Sequence, residues 1–132
     1  MEPGKDNCFS VPEHTALLDR ELLDKTLGGH TSLIIKSMEM FFKTAQDLMD
    51  GMRAAIAADN NGDLETNAHS LKGIVGYFNQ GVVHRLCAEL QFSGRDGSLP
   101  GDHARVEREF QRLEALIRDL CEEMKEEMVR LA

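Results

Sequence analysis

Residues 61–79 read NGDLETNAHSLKGIVGYFN. Within this stretch Leu64, Ala68, Leu71, Val75 and Phe78 follow one another at steps of 4, 3, 4 and 3. That is the period of a helix with one apolar stripe, and it predicts a helix over about 61–78. Asn79 follows, a residue that tolerates the left-handed backbone of a helix C-cap. The face opposite the stripe carries Glu65, His69, Lys72, Gly73 and Gly76 at i, i+4, i+7, i+8 and i+11, so these residues form one outward line. A glycine inside a helix costs roughly 1 kcal/mol relative to alanine. Two of them beside a histidine on an exposed face therefore need a reason. Glycine lets another surface approach the backbone closely. A glycine pair also serves where two helices of one protein touch, and a lone surface histidine is ordinarily just solvated. The combination His-x-x-Lys-Gly-x-x-Gly opposite a clean core stripe favours a docking platform with one imidazole standing on it.

Imidazole is the ordinary side chain whose neutral, nucleophilic form is available at cell pH. Its Nε2 can attack phosphorus and hold a phosphoryl group as a phosphoramidate. Lys72 lies within one turn of His69, where an ammonium would balance charge on phosphoryl oxygens. Phosphoryl transfer depends mainly on positioning and charge stabilisation. A chain carrying only these groups suffices if a partner brings the metal and aligns the donor.

The flanking sequence predicts more helices. Asp19 is a good N-cap for a first helix over about 19–27, Leu18 and Leu23 have the spacing of a hydrophobic staple, and Gly28-Gly29 ends it. A long second helix covers about 31–58, with a stripe of Ile34, Met38, Phe41, Ala45, Leu48, Met52 and Ala55. Leu33, Ile35, Phe42, Met49 and Ile56 widen that stripe, which implies more than one neighbour, and Gly51 weakens the helix locally. Asp59-Asn60-Asn61-Gly62-Asp63 is read as a turn. A fourth helix over about 81–93 turns Val83, Leu86, Cys87 and Leu90 inward, and 93–101 reads as a loop. The last helix, about 103–130, has the stripe Val106, Phe110, Leu113, Ile117, Leu120, Met124 and Leu131, with the charged residues of the 122–127 run on its solvated side. No segment reads as a strand. The expected fold is all-α: an antiparallel four-helix bundle with a short additional N-terminal helix. Residues 1–11 are expected to be a flexible lead-in to a single domain over 12–132.

Composition excludes several functions. The chain has 15 basic and 23 acidic residues, a net charge of −8, which argues against nucleic acid and anionic membranes. No apolar run approaches the roughly 20 residues of a membrane span, and no secretory signal opens the sequence, so a cytoplasmic location is expected. Cys8, Cys87 and Cys121 form neither a disulfide framework nor a zinc pattern. His14, His30, His84 and His103 are scattered, and no Glu-x-x-His pair suggests a di-iron bundle, so no metal site is expected.

Ala68-His69-Ser70-Leu71-Lys72-Gly73 resembles the signature of histidine phosphotransfer (HPt) domains, A-H-x-L-K-G. Leu22-Leu23 with Gly28-Gly29 is similar to that family's first helix and its Gly-Gly turn. Leu86-Cys87-Ala88-Glu89-Leu90 is similar to the helix after the active-site helix. The resemblance spans roughly residues 19–130. It implies a phosphocarrier, not an enzyme, for two-component phosphorelays. His69 would accept a phosphoryl group from a receiver-domain aspartyl phosphate and pass it to another receiver. Lys72 would stabilise the phosphoryl charge, Gly73 would admit the partner, and Glu65 and Gly76 would line the docking face. The implied partners are receiver domains of response regulators or hybrid histidine kinases, and they would supply magnesium, leaving this chain without a cofactor. Ile74-Val75-Gly76-Tyr77-Phe78-Asn79 departs from the common pattern: Tyr77 stands for a frequent Asn, Asn79 for a usual Gly. Gly76 and Phe78 are closer to the phosphotransfer domain of chemotaxis kinases. The module of a chemotaxis-type or hybrid kinase and a non-catalytic helical adaptor are the alternatives. A sensor-kinase dimerisation helix is disfavoured, because Ser70 rather than an acidic residue follows His69.

Overall fold

Four helices close into a ring in the computed structural model, which describes residues 16–132. The expected lead-in over 1–11, together with Cys8 and His14, lies outside the described residues. The helices are α1 (Arg20–Leu27), α2 (Thr31–Ala57), α3 (Asn61–Val75), α4 (Val82–Arg95) and α5 (His103–Leu131), and no strand occurs among the described residues. Around the ring α2 packs on α3, α3 on α4, α4 on α5 and α5 on α2. Short connections make neighbours antiparallel, as the sequence predicts.

Length sorts the bundle into two levels. With 27 and 29 residues, α2 and α5 run about 40 Å, while α3 and α4, with 15 and 14, run about 22 Å. All four helices therefore meet at one level only. Beyond it α2 and α5 continue together, and α1 covers their far ends. Asp19 caps α1 by accepting from the Leu22 N–H at 3.0 Å, and Gly28 and Gly29 end it at φ +66° and +70°, a region that only glycine enters freely. The segment before α1 is stitched down by polar contacts. The Glu123 carboxylate accepts from the Leu17 and Leu18 N–H groups at 2.8 and 2.9 Å, and the Asp19 N–H donates to the Phe78 carbonyl at 2.9 Å.

The core is the expected stripe from each long helix. Met38 and Met52 from α2, Leu64 and Leu71 from α3, Val83 and Leu90 from α4, and Leu113, Leu120 and Met124 from α5 are fully buried. Burial of one such side chain is worth about 1.5–3 kcal/mol.

Several expectations fail in informative ways. The third helix stops at Val75, not 78, although Phe78 stays buried in the following turn. Asn79 is no left-handed cap: it is buried, its Nδ2 donates to the Leu17 carbonyl at 2.7 Å, and its Oδ1 accepts from the Gly81 N–H at 2.9 Å. Among the described residues the left-handed non-glycine residue is instead Asp59, φ +54°, in the turn between α2 and α3. The fourth helix continues through Ser93 and Gly94 to Arg95 rather than ending at 93. A Cβ on Gly94 would stand 2.6 Å from the Glu65 backbone nitrogen and 2.7 Å from the Asn61 carbonyl oxygen, so α4 and α3 touch backbone to backbone there. Gly51 instead faces a side chain, since a Cβ there would stand 2.6 Å from Asn67 Oδ1 of α3, an amide end that can swing aside. Leu33 is exposed and Leu131 only half-buried, because each lies near an end of its helix, outside the level where four helices meet. Glu127, expected on the solvated side, is buried at 3% exposure and bridges Arg20 and Arg130.

Candidate functional site

Helix α3 presents the site. Asn60 caps its start by accepting from the Asp63 N–H at 3.0 Å, and Asn61 clamps the 96–102 connection through paired hydrogen bonds with the Leu99 backbone. Leu64, Ala68, Leu71 and Val75 all point into the bundle, which turns the opposite face outward. His69 and Gly73 are exposed, and Glu65, Lys72 and Gly76 are half-exposed on either side of them. The five residues expected on one face are therefore brought together on it. Gly76 follows the last helical residue as the C-cap, its N–H still donating to the Lys72 carbonyl at 3.1 Å.

The glycines distinguish docking from internal packing. A Cβ on Gly73 would meet nothing within 4 Å. One on Gly76 would make only ordinary contacts, 3.5 Å to the Lys72 and Gly73 carbonyl oxygens and 3.7 Å to the His84 ring. Neither glycine is required by a neighbouring helix, in contrast to Gly94. The bare patch faces solvent.

The charges around His69 come from two helices. Glu65 is not free on the surface; it pairs with Arg95 of α4 at 3.3 Å, and that guanidinium also lies 5.2 Å from the ring centroid of the exposed Phe92. Lys72 is in the last turn of α3, where a cation complements the helix dipole. Beneath it on α4, burial pushes the Cys87 thiol up to about 12, with the Lys72 charge pulling the other way. Cys87 is thus an inert core residue at physiological pH.

On the α2 side the patch continues into an apolar groove of about 300 Å³ lined by Leu27, Met40, Phe41, Ile74, Tyr77 and Phe78, among others. Met40 and Tyr77 are 65% and 50% exposed. The floor is firm, because Phe41 and Phe78 pack edge to face at 5.2 Å. Sequence reasoning did not identify this groove. Its signal was Met40, an apolar residue off the stripe of its own helix, beside Tyr77 on the glycine-bearing turn.

Among the described residues no group of three or more His, Cys, Asp or Glu is placed to hold a metal ion. His103 contacts Asp59 at 3.0 Å and Glu107 at 3.5 Å, which ties the start of α5 to the α2–α3 turn. No helix among the described residues is long and apolar enough to cross a membrane.

The fold and the sequence both have known counterparts. The crystal structure of histidine-containing phosphotransfer protein B (HptB) from Pseudomonas aeruginosa PAO1 superposes with a TM-score of 0.77, covering 86% of this chain and 96% of that one at 22% identity, which establishes a shared fold. A search of curated protein sequences finds no match. The Hpt domain family model matches residues 36–129, from the first third of α2 almost to the end of α5. That region is more than half of the chain, and it holds the whole of α3 with the His-x-x-Lys-Gly face, so the chain belongs to the Hpt domain family, the histidine phosphotransfer proteins of two-component phosphorelays.

Proposed function

We propose that His69 is the phosphoryl-carrying residue, loaded from the aspartyl phosphate of one receiver domain and discharged to another. The observation that carries this reading is the open space over Gly73 beside an exposed imidazole, on a helix whose other face is fully buried. In the forward step the Nε2 lone pair forms a bond to phosphorus. The P–O bond to the partner's aspartate breaks, and the carboxylate keeps the bonding pair. Lys72 stabilises the equatorial oxygens as their charge redistributes. The partner contributes magnesium and in-line alignment, so this chain needs no cofactor of its own and acts as a carrier rather than an enzyme.

The receiver docks across Gly73 and Gly76 and presses an apolar surface into the adjoining groove between Met40 and Tyr77. Burial of these two side chains supplies affinity, while the bare glycine patch sets how closely phosphorus approaches Nε2. The Glu65–Arg95 pair borders the patch on the opposite side and contributes charge selectivity more than affinity.

Transfer of labelled phosphoryl from a phosphorylated receiver tests the proposal. Label should reach the wild-type chain, fail to reach His69→Gln, and be lost in acid while surviving alkali, as a phosphoramidate is. Label that reaches His69→Gln equally well would overturn it.

A further inference from the structure

The two flanks of His69 differ in chemistry. Successive residues of an α-helix turn by about 100°, so Glu65 and Lys72 fall about 40–60° to one side of His69 and Thr66 falls about 60° to the other. Glu65 meets Arg95 of α4 at 3.3 Å, which makes the first side the α4 side. Asn67 faces Gly51, and Ile74 lines the groove with Met40, so Thr66 lies on the side toward α2. The α4 side thus carries a carboxylate, a guanidinium and an ammonium. Helix side chains lean toward the N-terminus, so the His69 ring covers the turn formed by Glu65 and Thr66 rather than Gly73. Thr66 is exposed, as His69 is. Its neighbours Glu65 and Asn67 are engaged, with Arg95 and with the Asp63 carbonyl at 2.8 Å, whereas the Thr66 hydroxyl has no hydrogen-bond partner among the described residues. A helical threonine can turn its hydroxyl back onto the carbonyl four residues earlier, as Thr26 does onto Leu22 at 2.8 Å. At Thr66 the O–H stays available.

We propose that Thr66 is a phosphoryl-binding residue: when His69 carries the group, the Thr66 hydroxyl donates to one of its oxygens from the α2 side, while Lys72 meets another from the α4 side. A donor on the α4 side alone would leave the group free to swing toward the Glu65 carboxylate, where like charges repel. Thr66 draws it the other way. A hydrogen bond to an ionised oxygen is shorter and stronger than one between neutral groups. This one exists only while phosphorus is on Nε2, so it stabilises the loaded chain and not the free one. No covalent bond is made or broken beyond the transfer itself, and the hydroxyl keeps its proton.

The inference rests on His69 being the acceptor, and its test reads an equilibrium rather than a rate. One receiver, charged on its aspartate with acetyl phosphate, is mixed with dilute chain and magnesium, and the ratio of phosphohistidine to aspartyl phosphate is read once transfer has equilibrated. A residue that only touches the docked receiver changes how fast this ratio is reached and leaves its value alone. Thr66→Val keeps the branched shape and nearly the same helix propensity but removes the hydroxyl. It should lower the ratio about tenfold, the low end for a hydrogen bond to a charged group. Thr66→Ser keeps the hydroxyl and should hold the wild-type ratio. An unchanged ratio in Thr66→Val would overturn the proposal, and so would a serine variant that loses as much as the valine one. If the wild type loads and the valine variant shares its ratio, only the role of Thr66 fails. If wild-type His69 takes no phosphoryl group, the carrier reading fails and the role of Thr66 falls with it.

Discussion

Substitution at Gly73 should separate stability from function, moving them in opposite directions. The residue lies inside α3, and a Cβ there meets nothing within 4 Å, so Gly73→Ala gains the full difference in helix propensity, about 1 kcal/mol, with no packing cost. For a domain of this size that raises the melting temperature by about 4 °C. The same methyl group stands on the surface where the receiver presses. Gly73→Leu extends the obstruction while its Cβ still meets no neighbouring helix. A displacement of roughly 1 Å between reacting groups can cost about 100-fold in rate, so the leucine variant should lose at least that much transfer. Circular dichroism melts and rapid-quench transfer from a phosphorylated receiver measure the two effects on the same samples. A Gly73→Ala variant that melts lower than wild type would refute the open-space argument. A Gly73→Leu variant that accepts phosphoryl at the wild-type rate would refute the platform.

Lys72→Ala should slow transfer by about 100- to 1000-fold, the range for loss of one charge-stabilising donor, with the chain still folded; equal rates would remove Lys72 from the chemistry. Gly94→Ala should lower stability by about 2 kcal/mol in urea titrations despite its better helix propensity, because the new methyl meets backbone atoms of Glu65 and Asn61 that cannot swing aside; a stabilised variant would contradict the close α3–α4 approach. Hydrogen bonding from Arg130, helped by Arg20, holds the Glu127 carboxyl below the usual carboxylate range. A depressed folded pKa adds stability above the unfolded value of about 4.3, and that stability is lost as pH falls through the folded value. Glu127→Gln should therefore flatten the melting-temperature profile below about pH 5, and superimposable profiles would show that the bridge contributes nothing.

The fold was legible wherever periodicity was unbroken. The 4-3-4-3 spacing of Leu64, Ala68, Leu71, Val75 and Phe78 places all five in the core, and the line through Glu65, His69, Lys72, Gly73 and Gly76 does emerge on the opposite face. Residue type misleads where it conflicts with helical register. Gly94 looked like a loop residue, yet it continues the series Val83, Cys87, Leu90 at the same steps, and its missing side chain is what lets two helices touch. Glu127 looked solvated, yet it continues Leu120 and Met124 into the core side of α5, where two arginines satisfy its charge. Asn79 resembled a cap by type, but its amide joins two chain segments 62 residues apart, a relation that no local pattern encodes. The groove was illegible for the same reason: it depends on which helices become neighbours.

Everything functional depends on one bond, that between Nε2 of His69 and phosphorus. Phosphorus–nitrogen coupling in NMR of the nitrogen-labelled chain, recorded after loading from a phosphorylated receiver, observes that bond directly. A single coupling is expected, to Nε2 of His69, which disappears in His69→Gln. Coupling at another histidine, or a chain that stays unphosphorylated beside receivers charged on their aspartates, would contradict it.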